Sequence, residues 1–408
     1  MMVVFFPNKF EYRMNMDKKE QKILEGNINR ICLMNFLDGM WFPMSVFVIF
    51  LFDNGMSLTQ VGLILGAYSI MPFFLDLPSS ILADRHSLKL MLVLMSAAYL
   101  LQNAIYFFGH SFLMFFIASC FNGIGNALSM GIASALVYDT LLSVGKEKNY
   151  EKEQSKVVMS FYAGRLLASV GALIYLANPR MVFLLAVIVT AIEVITAISL
   201  KEPWREKGAS KPLIHIREGL GFILKHKTIW HTVVIFSVMA GICGVLFDYY
   251  QPVMKAAGIS VVYFGIIYFF ANVAGFLGAV IYPRLAERVR WKGIMFLYLF
   301  MAMAAAFFFS VNLRFLIVAA VVLSSLLLGL QGVFIGNVIN RIVPSTHRAT
   351  ALSVQTQMHL VFNFVFLMAV SVVSEKVSIN AGMVLIFILA VTAFAAFFGL
   401  ANKEPAVS

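Results

Sequence analysis

Ionisable side chains fall inside stretches of this sequence that are otherwise apolar: Asp38, Asp76, Asp139, Arg165, Glu193, Asp248 and His359. A charge among apolar neighbours is costly, so such a residue either pairs with another group or does work that needs it there. Carboxyls and imidazoles in that setting suit proton carriage. Burial favours the neutral acid and water favours the carboxylate, so alternating access makes a carboxyl take up and release a proton. Asp38 is the first candidate for this role, followed by Asp76, just before Pro78, and by His359. Arg165 is a cation beside a small-residue face, Gly164, Ala168 and Ala172. It either neutralises Asp38 or meets an anionic solute. Asp139 falls at the end of its stretch, where an interfacial role is expected.

Uncharged polar residues form two stripes. Ser119, Asn122, Asn126 and Ser129 recur at helical spacing, as do Gln355, His359 and Asn363. A polar stripe on an apolar helix faces a water-filled cavity or another helix. Asn122, Asn126, Arg165, Gln355 and Asn363 are therefore the candidate cavity residues. Ala271, Gly275 and Ala279 make a small-residue face suited to close packing across the middle of the chain. Cys32, Cys120 and Cys243 all lie in apolar stretches, which implies neither a disulfide framework nor a metal site. No G-x-x-x-x-G-K-[ST], H-E-x-x-H or G-x-S-x-G motif occurs. The expectation is a chain without cofactor or metal, not an enzyme, and without direct use of ATP.

The elements that hold these residues are set by composition. Of 408 residues, 61% are hydrophobic and 12% charged, about half the charge that a soluble surface carries. Mean hydropathy is +0.87. Apolar runs long enough to cross a hydrocarbon core about 30 Å thick cover 28–52, 58–82, 89–108, 112–142, 157–177 and 181–200. A second set covers 229–250, 260–285, 293–311, 315–343, 350–373 and 380–401. Backbone polar groups in lipid must be satisfied locally, so these spans are helices. The expected architecture is an all-α polytopic membrane protein of two six-helix halves, 28–200 and 229–401. A 1–27 tail, a 201–228 central loop and a 402–408 tail complete it, with translation starting at Met1, Met14 or Met16. Within the central loop, Pro212 to Lys227 alternates like a surface-lying amphipathic helix.

Charge then orients the chain. With both termini on one side, 25 of the Lys and Arg residues fall on that side and 4 on the other. That asymmetry places both termini in the cytoplasm. It also accounts for the net charge of +11 without a nucleic-acid partner.

The loop from Leu82 to Lys89 reads LADRHSLK, and that from Leu285 to Lys292 reads LAERVRWK. Their recurrence at half the chain length marks a repeat of two six-helix units. With Ser80 before it, the first loop resembles the G-x-L-A-D-R-x-G-R-K motif of the major facilitator superfamily; Ser80 and Ser87 stand for its glycines and Leu88 for an arginine. In that family the loop latches one conformation by placing a carboxylate on a neighbouring helix N-terminus. The resemblance assigns Asp84, Arg85, Lys89, Glu287 and Arg288 to such a latch. Gly123 and Gly125 match part of the family's fourth-span pattern, but Ser119 replaces its arginine and the antiporter signature of the fifth span is missing.

The resemblance implies a bacterial inner-membrane secondary transporter, working as a monomer by alternating access. Protons, lipid and a small-molecule substrate are its partners. Export of a small amphipathic organic molecule, drug-like or siderophore, is the leading expectation. Uptake of a metabolite and a non-transporting receptor or scaffold are the alternatives.

Overall fold

In the computed structural model, which describes residues 17–204 and 212–401, every regular element is helical. The first span is α1 (Lys18–Gly39), a 3-10 turn (Phe42–Ser45) and α2 (Phe47–Asp53), bent by 43°. Pro43 lies in that turn and has no N–H to give a continuing helix. Then follow α3 (Leu58–Arg85), α4 (Leu88–Phe108), α5 (Phe112–Ser129), α6 (Ile132–Ser143), α7 (Tyr150–Ala168), α8 (Gly171–Ala177) and α9 (Met181–Ser199). Gly131, at φ +74°, makes the left-handed step between α5 and α6. Helix α10 (Pro212–Lys225) forms where the central loop alternates. The second half holds α11 (Lys227–Asp248), α12 (Tyr250–Ala256), α13 (Val262–Arg288), α14 (Trp291–Ser310), α15 (Arg314–Ile342), α16 (Arg348–Lys376) and α17 (Ile379–Ala401). Among the described residues, eleven helical spans, with α5–α6 and α7–α8 counted as one each, are long and apolar enough to cross a bilayer, and the bent α1–α2 pair makes twelve.

Packing reproduces the repeat. In the first half α1 packs on α7, α3 on α5, and α4 on both α5 and α9. In the second, α11 packs on α16, α13 on α15, and α14 on both α15 and α17. The halves meet through α3 against α16 and α13 against α7 and α8, two contacts that exchange under the same two-fold relation. Large apolar side chains turn outward, with Phe108 and Phe315 each 68% exposed and Ile195 67%. Such a surface suits lipid rather than water.

Close approaches set the helix positions. A Cβ on Gly164 would collide with the Phe36 carbonyl, and one on Gly39 with that of Phe161, so α1 and α7 cross almost backbone to backbone. Ala168 and Ala172 are fully buried on the same face as Gly164. The small face of α13 behaves differently from expectation. Gly275 and Gly278 press on the Ser325 and Leu326 carbonyls of α15, inside the second half. The approach across the halves is made nearer the start of α13, by Gly265 on the Ser169 carbonyl. Small residues announce a close neighbour without naming it.

One end of the bundle gathers basic loops, where Glu25 pairs with Lys146 at 2.9 Å and Glu20 with Lys201 at 3.5 Å. There the fully buried Asn27 exchanges two hydrogen bonds with the Lys201 backbone, 2.7 and 3.0 Å. The far end of the bundle lies opposite this basic end.

Candidate functional site: a central cavity between the halves

A cavity of about 310 Å³ lies between the halves, lined by α1 to α5, α7 and α9 on one side and by α11, α12 and α13 on the other. Asp38 and Arg165 both face it. Their placement follows from the neighbouring glycines, since Gly39 and Gly164 are the points where α1 and α7 touch.

Arg165 crosses to the second half. Its Nε donates to the Tyr268 hydroxyl at 3.2 Å, and its guanidinium lies 5.6, 5.7 and 5.8 Å from the rings of Phe161, Phe247 and Tyr268. Aromatic faces hold a cation through their quadrupoles and leave its remaining N–H groups free for a ligand. Asp38 sits within the field of Arg165 but forms no contact ion pair or hydrogen bond with a described side chain. The two side chains thus share the cavity without direct contact.

The α5 stripe serves both uses open to it. Ser119, Asn122 and Asn126 line the cavity and also knit the helices. Tyr99 donates to Asn126 at 2.9 Å, Asn126 to Asn122 at 2.8 Å, and Asn122 to Gln102 at 2.9 Å. The Ser119 hydroxyl donates to the Ile64 carbonyl. Trp41, also in the wall, donates to Asn103 at 2.9 Å.

The α16 stripe goes elsewhere. Asn363 accepts from Ser69 of α3 at 2.6 Å, and the Gln355 carbonyl accepts from Ser237 of α11 at 3.0 Å. His359 faces Gly244 of α11. None of the three lines the cavity; they lie where α16 meets α3 and α11. Asp76 also lies outside it, accepting from Gln357 at 2.7 Å and Ser353 at 3.4 Å across the halves.

Two further residues line the cavity, Asp248, an intramembrane charge of the sequence, and Tyr68, which the sequence does not single out. The Tyr68 hydroxyl donates to Asp248 Oδ1 at 2.9 Å, a bond between halves, while Asp248 Oδ2 is buried without a partner. Asp248 is recognisable as an intramembrane charge, but Tyr68 and Gln251 are uncharged and leave no such signal.

Bridges close the far end. Gln251 of α12 donates to the Met44 carbonyl at 2.8 Å and accepts from the Val48 N–H at 2.9 Å. Glu375 accepts from the Ser57 hydroxyl at 2.8 Å and the Thr59 N–H at 2.6 Å, capping α3 from the other half. Lys255 pairs with Asp53 at 3.4 Å. Toward the basic end, the last described hydrogen bonds between halves are those of Asp76.

The side chains of Asp84 and Arg85 lie outside the described residues, so their latch contacts are left aside. Lys89 is described: its N–H and that of Leu88 bind the Glu202 carboxylate at 2.9 and 2.8 Å. The anion on the α4 N-terminus thus comes from the same half. Glu287 and Arg288 are exposed at the end of α13, and their side chains make no hydrogen bond or ion pair with a described residue.

Comparison with known proteins matches residues 31–360 to the model of the Major Facilitator Superfamily. Solved structures with similar folds include the nucleoside transporter NupG, with TM-score 0.76, 15% identity, and 94% of this chain and all of that chain (100%) covered. Another is a bacterial homolog of the human lysosomal transporter Spinster in an inward-facing, unoccupied conformation, with TM-score 0.71, 16% identity, and 97% and 99% covered. At such identities the likeness is one of fold. No curated protein sequence matches the chain significantly.

Proposed function

The chain belongs to the major facilitator superfamily and is a transporter rather than an enzyme, and we propose that it moves a small organic molecule by proton-coupled alternating access. The observation that carries this reading is the cavity between the halves, where Asp38 and Arg165 face the same space without pairing. A solute there is held by rings and amides of both halves, so rocking the halves re-exposes it to the other side. The bridges at the far end hold one such state. The 25-to-4 distribution of Lys and Arg supports placing the basic end and both termini in the cytoplasm of a bacterial inner membrane. The state described is then open toward the cytoplasm, and a monomer suffices for the cycle.

The substrate we favour is a small amphipathic molecule, exported in exchange for protons. The wall offers rings (Trp41, Phe47, Tyr106) beside hydrogen-bonding groups. A volume of about 310 Å³, at the lower end of the roughly 300–1,000 Å³ typical of small-molecule sites, favours a drug-like compound over a bulky siderophore. A second reading, uptake of a polar ring-bearing metabolite such as a nucleoside, is favoured by the carboxamides Gln102, Asn103, Asn122, Asn126 and Gln251 in the wall.

Trp41 gives the test. Purified protein is titrated with amphipathic amines and with uridine while tryptophan fluorescence is read. Saturable quenching by one class, lost in Trp41→Phe, supports a substrate of that class. Quenching unaltered in Trp41→Phe places the ligand outside this cavity and counts against the reading.

A further inference from the structure

Glu193 belongs to no part of the cavity wall, yet it is fully buried in α9. One carboxylate oxygen accepts from the Ser96 hydroxyl at 3.0 Å; the other is buried and without a partner. No lysine or arginine among the described residues reaches it. It follows the cavity-lining Ala186 and Thr190 on the same face of α9, one turn nearer the basic end.

The groups that face it come from two helices. Helix α1 supplies Asp38, and α4 supplies Tyr99, whose hydroxyl is engaged with Asn126; both lie within electrostatic reach of Glu193. Arg30 of α1 turns instead to the Ile23 carbonyl at 3.2 Å and to Asn27. The Tyr175 hydroxyl of α8 is committed to Asp53 at 2.6 Å, and the Phe42–Ser45 turn holds no titratable group. An ionised carboxylate with an unpartnered oxygen in a dry interior is strongly disfavoured, and a second one beside it more so.

We propose that Glu193 is a second proton-binding site, in series with Asp38 and on the basic-end side of the cavity. A proton leaves the Asp38 carboxyl and is taken by the Glu193 carboxylate. Asp38 then carries its charge in the field of Arg165, and Glu193 is neutral where no cation could balance it. The reverse transfer resets the pair. A solute that competes with Asp38 for Arg165 would drive the proton back to Asp38. This inference rests on proton coupling, but the site itself can be tested without any substrate.

The experiment is infrared difference spectroscopy of the purified full-length protein between acid and alkaline pH, reading the carbonyl band of buried carboxylic acids. The expected result is a titrating band that disappears in Glu193→Gln, an isosteric change that keeps a partner for Ser96. In Ser96→Ala the band should persist at a displaced frequency, which covers the case of a Glu193→Gln protein that does not fold. In Asp38→Asn its titration midpoint should shift. A spectrum unchanged by Glu193→Gln overturns the proposal. So does a Glu193 band that never titrates and ignores Asp38→Asn, since it would mark a purely structural acid. A titrating Glu193 in a protein that moves no protons with any solute would leave the site standing and refute the coupling.

Discussion

At the scale of single residues, some polar groups of the cavity are held by a single partner. Tyr68 is the clearest case, because its hydroxyl gives Asp248 its one hydrogen bond across the halves while Oδ2 has none. Tyr68→Phe should cost about 1–3 kcal/mol, the penalty for stranding a buried polar group, read as a lower melting temperature in detergent. Adding Asp248→Asn should recover part of that loss, since the two residues are coupled. An additive double variant would mean that the bond contributes nothing. The sequence makes Asp38 and Arg165 legible because a charge among apolar residues is conspicuous. It leaves Gln102, Tyr68 and Gln251 hidden, because amides and phenols are common in membrane helices and acquire meaning only from what lies opposite.

At the scale of elements, two glycines place the charged pair. Gly39 and Gly164 let α1 and α7 cross beside Asp38, which precedes Gly39, and Arg165, which follows Gly164. Gly164→Ala must push the helices apart at a backbone carbonyl, and overpacking of this kind costs about 1–3 kcal/mol. Gly332 of α15 has nothing within 4 Å of an added Cβ, so Gly332→Ala should be neutral or stabilise by up to about 1 kcal/mol. Thermal melting of the two variants side by side separates contact from propensity. Equal melting would contradict the crossing described. The spans themselves were readable from length and apolarity, and helix α10 from its alternation. The partner of the α13 small face was not, since that depends on which of two helices lies opposite.

At the scale of the whole molecule, α3 and α16 form one of the two joints between halves. Glu375 caps the far-end start of α3, and Asp76 holds α16 from the α3 side nearer the basic end. The Lys255–Asp53 pair is about half exposed and adds at most about 1 kcal/mol, so closure rests on Glu375 and Gln251. Joining Ser57→Cys to Glu375→Cys with a short thiol cross-linker should hold the far end shut and abolish transport, with recovery on reduction. Transport that continues when cross-linking is complete would mean that the far end need not open there. The repeat of LADRHSLK and LAERVRWK disclosed the two halves in advance. The state in which they rest was not written in either loop; it depends on Glu375 and Gln251, which carry no motif.

The proposed mechanism requires coupled movement of solute and protons through this cavity. Its most direct test is the protein in liposomes with an internal pH dye, given a membrane gradient and a panel of candidate solutes, with Asp38→Asn in parallel. The prediction is a solute-dependent proton flux that vanishes in Asp38→Asn. Solute transport with no accompanying proton movement in the unaltered protein would contradict it.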